Sequence, residues 1–128
     1  MPSWNEYKTM AQARGALAME LYVVQSRPGG APEAVKGNLP DHLDYQARME
    51  AAGHLVMAGP VSDQTGELME GAGMIVYRAE SLEAARALAE ADPMHLSGAR
   101  TFEIRRWLVN EGRLTLDVAL SSQSVRVT

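Results

Sequence analysis

Apolar and polar positions along the chain repeat with two periods, about 3.6 residues for helices and 2 for strands, and the switches between them outline short elements. Ser3 to Leu17 holds good helix formers behind a candidate N-cap at Ser3, which predicts a leading, weakly amphipathic helix. Met19-Glu20-Leu21-Tyr22-Val23-Val24 has the β-branched and aromatic character of a strand. Arg27 to Gly37, with Pro28, Gly29, Gly30 and Pro32, reads as a loop. A helix follows from Asn38, with Pro40 in its first turn, Asp41 and Asp44 near its positive end and Gly53 as its stop. Leu55 to Ala58 is a second strand, Ser62 to Glu67 an exposed turn, and Gly73 to Arg78 a third strand. Ser81 caps the clearest helix, Leu82 to Ala91, in which Leu82, Ala85, Leu88 and Ala89 share one face and Glu83, Arg86 and Glu90 point outward. Asp92-Pro93 ends it, Arg100 to Leu108 alternates as a fourth strand, and Asn110-Glu111-Gly112 turns into a fifth that carries Leu114, Leu116, Val118 and Leu120.

The core order is β-α-β-β-α-β, followed by the extra strand. That order predicts an α+β, ferredoxin-like split βαβ fold, with an antiparallel sheet and both helices on one face. The other face of such a sheet is bare, yet the strands carry apolar residues on both sides. A second sheet from an identical subunit would cover it, so a homodimer is expected, with a higher oligomer open as an extension. A length of 128 residues fits a single domain spanning 1–128.

Composition narrows the function classes. The chain has no cysteine, which removes disulfides, thiolate catalysis and cysteine-ligated metals. Its formal charge is −4, and the basic residues are scattered, with Arg105-Arg106 the densest pair. Phosphate backbones demand concentrated positive charge, so nucleic acid is not an expected partner. No apolar run approaches the ~20 residues a membrane-spanning helix needs. The segment Met1 to Glu6 lacks the basic start and apolar stretch of a secretory signal. Cytoplasmic placement is therefore expected, without a membrane partner.

The chemistry-bearing candidates are few. Of the three histidines, His54 begins a strand after a helix-ending glycine and reads as a surface residue. His42 shares a helix face with Tyr45, Gln46 and Met49, which suits either a half-buried structural histidine or an acid–base group. Asp92 continues the apolar stripe of its helix, seven residues after Ala85 and four after Leu88. A carboxylate facing inward at the negative end of a helix dipole needs compensation. A histidine or arginine would supply it, or a local cap made just before Pro93. His95 follows in a loop, and Arg100 could offer charge to an anionic substrate. The Gly71-Ala72-Gly73 run precedes a strand rather than opening a helix, so no dinucleotide fingerprint is present. No redox cofactor motif and no spacing typical of a metal site is visible, so neither a cofactor nor a metal is expected.

Several of these segments together resemble a known family. Pro40-Asp41-His42-Leu43-Asp44-Tyr45, then Gly53-His54-Leu55-Val56-Met57-Ala58-Gly59-Pro60, are similar to the first helix and second strand of YCII-related proteins. The serine-capped helix ending in Ala91-Asp92-Pro93, Gly98, and the strand closing at Trp107 complete a likeness over roughly Met19 to Leu108. The resemblance implies a ferredoxin-like fold paired through its sheets, within the dimeric α+β barrel superfamily. It implies a histidine–aspartate active site, which falls on His42 and Asp92. One branch of that family removes HCl from a chlorinated hydroxyquinol. The family often carries an arginine three residues before the helix histidine, where this chain has Leu39. Anion binding would then fall to Arg100 or Arg48.

Together these readings predict a cofactor-independent acid–base enzyme, lyase-, dehydrochlorinase- or isomerase-like, for a small aromatic or enolic molecule. In it His42 moves a proton and Asp92 orients and stabilises the imidazole. His95, Arg100, Tyr45 and Tyr22 are the candidate substrate-binding residues. A non-enzymatic ligand-binding or interaction module of the same fold is the alternative, and cofactor-free oxygenation is a minor variant of the enzyme reading.

Overall fold

A computed structural model describes residues 1–128, in which the chain divides into two compact units, Glu20–Trp107 and Met1–Met19 with Leu108–Thr128. The larger unit is built on a four-stranded sheet. Its strands are β1 (Met19–Pro28), β2 (Leu55–Pro60), β3 (Gly73–Tyr77) and β4 (Arg100–Val109), ordered β2-β3-β1-β4. β3 runs antiparallel to both β1 and β2, with Val24 opposite Ile75 and Tyr22 opposite Tyr77. The β2–β3 register shifts between Leu55 and Met57, so Val56 is a bulge at the sheet edge.

Alternation along the strands sorts the two faces. Tyr22, Val24, Ile75, Tyr77 and Ile104 point to one side and form the core with Ala85 and Ala89. The helices α2 (Pro32–Ala51) and α3 (Leu82–Ala91) cover this side, α2 through Tyr45 and Met49, α3 through its stripe of Leu82, Ala85, Leu88 and Ala89. Small residues at 85 and 89, each fully buried, let α3 lie close on the sheet. The fold is α+β and ferredoxin-like, as the order of elements predicts.

The structure departs from expectation at four places. β1 runs on to Pro28 and α2 begins at Pro32, so the loop expected over Arg27 to Gly37 shrinks to a few residues. Pro32 takes the first helical turn, where its missing N–H costs nothing, and Pro40 lies inside the helix. The expected loop after Asp92 is a short helix, α4 (Pro93–Leu96), with the Asp92 side chain as its N-cap. The C-terminal strand does not extend the main sheet: β5 (Leu116–Ala119) pairs with an unexpected β6 (Ser124–Val127) in a separate two-stranded sheet.

In the smaller unit, α1 (Trp4–Ala13) starts with a capping box, in which Glu6 N–H donates to Ser3 Oγ and Ser3 N–H to the Glu6 carboxylate. The Leu17 amide donates to the Asn110 carbonyl at 3.0 Å, joining the two chain segments of this unit. No helix is long and apolar enough to cross a membrane.

Candidate active site

Two helices bring the principal pair together. On α2, His42 and Tyr45 are three residues apart and so lie on adjacent turns of one face. On the α3 side, Leu88 and Asp92 are four apart. The Tyr45 hydroxyl donates to the Leu88 carbonyl at 2.6 Å, and His42 Nδ1 lies 2.8 Å from both Asp92 oxygens. Asp92 is 0% exposed, and its Oδ1 also accepts the Met94 amide at 2.9 Å. Both sequence readings of Asp92 therefore hold at once, since it pairs with a histidine and caps the helix that follows.

Hydrogen bonding to a carboxylate assigns the Nδ1 proton, so in the neutral ring Nε2 is the basic nitrogen. His42 lines a cleft of about 870 Å³ bounded by α2, β2 and the start of β3. Its walls are mostly apolar, with Leu39, Leu43, Met57, Met69 and Ile75, and its polar groups include His42, Ser26 and Arg100. The His42 side chain keeps 19% of its surface exposed. An oriented imidazole backed by a buried carboxylate, on the wall of an apolar cleft and with no protein partner on Nε2, can accept and return a proton.

A second polar cluster joins His95, Ser26 and Arg100. His95 Nδ1 is 2.7 Å from the Ala89 carbonyl, and its Nε2 is 2.8 Å from Ser26 Oγ. The ring tilts against Phe102 at a centroid distance of 4.6 Å. Burial lowers the His95 pKa below the ordinary imidazole value, against an opposing pull from the Ala89 hydrogen bond and Asp92. Arg100 donates from Nε to Ser26 Oγ at 2.8 Å and from Nη2 to the Ser26 carbonyl at 2.9 Å and to the Gly71 carbonyl. Burial also draws the guanidinium pKa down, with Asp92 acting in the other direction.

Of the four candidate substrate-binding residues, Arg100 alone lines the cleft. His95 sits behind Ser26. Tyr45 is buried with its hydroxyl on Leu88, and the Tyr22 hydroxyl bonds to Glu20 at 3.1 Å. Burial raises the pKa of both phenols, so they stay protonated. His54 is exposed at the start of β2, and no cluster of His, Cys, Asp or Glu has the form of a metal site. Among the polar residues of the cleft, which also include Gln46 and Glu50, Ser26 is one that the sequence alone does not single out. Its signal is position, since Tyr22, Val24 and Ser26 are successive inward sites of β1.

A smaller hollow of about 170 Å³ lies on the opposite face of the sheet, beside Val23, Gln25, Met74 and Trp107. It holds an exposed Glu103–Arg105 pair at 3.5 Å and no histidine.

Comparison with known proteins agrees with this architecture. The chain is 38% identical over 66 residues to the uncharacterized protein YjpA of Bacillus subtilis strain 168, a match that covers 52% of this chain and 71% of YjpA. Its fold is similar to that of 5-chloro-2-hydroxyhydroquinone dehydrochlorinase (TftG) of Burkholderia phenoliruptrix AC1100, solved in complex with 2,5-dihydroxybenzoquinone. That likeness has a TM-score of 0.53 at 21% identity and covers 70% of this chain and 93% of the other. The YCII-related domain matches residues 18–108, which take in the whole of the larger unit, and the chain therefore belongs to the YCII-related family.

Proposed function

We propose that this chain is a cofactor-independent acid–base enzyme, lyase- or isomerase-like, that acts on a small aromatic or enolic molecule bound in the cleft beside His42. The observation that carries this reading is the position of His42, with Nδ1 2.8 Å from both oxygens of a fully buried Asp92 and the ring on the cleft wall. Asp92 holds the tautomer with Nδ1 protonated and stabilises the imidazolium formed when Nε2 takes a proton. In an elimination, a proton leaves the substrate to Nε2, the electron pair of the broken bond forms a new π bond, and chloride departs with its electrons. In an isomerisation, His42 returns the same proton to a different carbon. The similarity in fold to a dehydrochlorinase makes HCl loss the first reaction to test.

The test is chloride release from 5-chloro-2-hydroxyhydroquinone, alongside a panel of enolic lactones followed by absorbance. Turnover by the wild type that His42→Gln abolishes is the expected result. Equal rates for the two proteins, or for protein and buffer, would refute the reading.

One observation favours the alternative of a binding module. Asp92 also caps α4 through Met94, so the pair ties α2 to the joint between α3 and α4 whether or not it reacts. In either case the working form is a homodimer. Met57 (55% exposed), Met74 (36%) and Trp107 (40%) leave apolar surface on and beside the bare sheet face, which a second copy would cover.

A further inference from the structure

The guanidinium of Arg100 is tied down on one side and unused on the other. Its Nε and Nη2 hydrogens go to Ser26 Oγ, the Ser26 carbonyl and the Gly71 carbonyl, all neutral acceptors. No carboxylate bonds to it, and Asp92 acts on it only from a distance. Nη1, with two further N–H donors, has no protein partner, and Arg100 is part of the cleft wall. A partly buried cation held only by neutral oxygens favours an anion at its open edge.

The Ser26 contact is directional. Ala89 offers only a carbonyl to His95 Nδ1, so Nδ1 carries the ring proton and Nε2 is an acceptor in the neutral ring. The Ser26 hydroxyl therefore donates to His95 Nε2, which leaves an Oγ lone pair for the Arg100 Nε–H. Ala89, His95, Ser26 and Arg100 form one chain of hydrogen bonds, in which each proton position is set by the preceding link.

We infer that the cleft takes a small planar organic oxyanion, an enolate, phenolate or carboxylate, seated on Arg100 Nη1, and that Ser26 and His95 are positioning residues that aim the guanidinium. This rests on the cleft being the ligand site, and it adds the charge of the ligand and the residues that select it. The apolar walls suit a ring, and Arg100 fixes which edge of that ring carries the charge.

The probes are 2,5-dihydroxybenzoquinone, a vinylogous acid that is anionic at neutral pH, and hydroquinone, which is neutral and of similar size. Calorimetric titration of the wild type should show tighter binding of the anion by roughly 10–100-fold, the worth of charge-assisted hydrogen bonds. Arg100→Gln should remove that preference. Ser26→Ala and His95→Asn should each lower anion affinity about tenfold, a typical single-contact effect, and lower hydroquinone affinity much less. A merely structural role would weaken both probes alike. In the wild type itself, the anion should shift the Arg100 side-chain ¹⁵N signals, a readout that stands even where a variant folds poorly. Equal binding of both probes by the wild type, or an anion preference that survives Arg100→Gln, would overturn the inference. The two proposals separate cleanly, because Arg100-dependent anion binding without turnover sinks only the enzyme reading. Turnover that ignores Arg100, Ser26 and His95 sinks only this one.

Discussion

Replacing Asp92 with Asn exchanges one carboxylate oxygen for an amide nitrogen and leaves the buried volume nearly unchanged. Oδ1 is shared by the Met94 amide at 2.9 Å and His42 Nδ1 at 2.8 Å, whereas Oδ2 faces His42 Nδ1 alone, also at 2.8 Å. The oxygen of Asn must stay opposite the Met94 N–H, so its nitrogen takes the Oδ2 position and meets His42 Nδ1 donor to donor. The Asn oxygen, still 2.8 Å from Nδ1, remains an acceptor shared with Met94, but the amide nitrogen beside it favours the imidazole tautomer with its proton on Nε2. His42 is then held in the tautomer that cannot accept a proton from a ligand. The expected loss of turnover is on the order of 10⁴-fold, the scale reached when a carboxylate-to-amide change traps a catalytic histidine in the wrong tautomer. Stability should fall much less. A hydrogen bond to a charged group contributes about 1.5–3 kcal/mol and a neutral one about 0.5–1.5, so the cost is about 1–2 kcal/mol. For a chain of this length that lowers Tm by roughly 3–8 °C. Long-range ¹H–¹⁵N spectra of the histidine rings report the tautomer directly. The wild type should show His42 protonated at Nδ1 and the variant at Nε2. A variant that keeps the Nδ1 tautomer and full turnover would refute the argument.

Three further outcomes follow from the same geometry. Light scattering at micromolar concentration should give about twice the chain mass of 13.9 kDa, and a stable monomer would remove the case for a covered sheet face. The lowered pKa of His95 makes the unfolded chain bind a proton that the folded chain refuses, so stability should decline as pH falls below about 6.5. Chemical denaturation at stepped pH should lose that slope in His95→Asn, and persistence of the full slope would count against the buried neutral ring. Gly71 has φ +96°, and a Cβ there would lie 2.7 Å from Pro28 Cγ. Gly71→Ala should therefore cost about 1–3 kcal/mol, measured as a lower denaturation midpoint, and an unchanged midpoint would contradict it.

The parts of this fold that the sequence reveals are those where local and tertiary preferences agree. Helix α3 has a serine cap, a clean apolar stripe and a proline stop, and β1 and β3 carry the Tyr and Val runs that suit a covered sheet. The need of Asp92 for a partner is legible for a related reason, since a carboxylate on an apolar stripe demands one, whereas His42 as that partner follows from the resemblance to YCII-related proteins. The start of α2 was not legible. Gly37, Asn38 and Pro40 each weaken a helix locally, yet burial of the face with Tyr45 and Met49 carries the helix across them. Asp92-Pro93 reads as the end of α3 and is also a beginning, because Asp as N-cap and Pro in the first turn are start signals too. At the C-terminus, alternation from Leu114 to Leu120 identified a strand but not its partner. That partner is the short β6, whose Val125 and Val127 pair with Val118 and Leu116. Ser26 was hidden because a serine at a strand end carries no signal until His95 and Arg100 converge on it from 69 and 74 residues away.

The most direct test of the acid–base reading is a crystal structure of the chain saturated with 2,5-dihydroxybenzoquinone. The account predicts the ring in the cleft of α2, β2 and β3, with one of its atoms about 2.6–3.2 Å from His42 Nε2. It also predicts a ring oxygen on Arg100 Nη1. A ring bound in the hollow beside Trp107, or in the cleft with His42 Nε2 out of its reach, would contradict it.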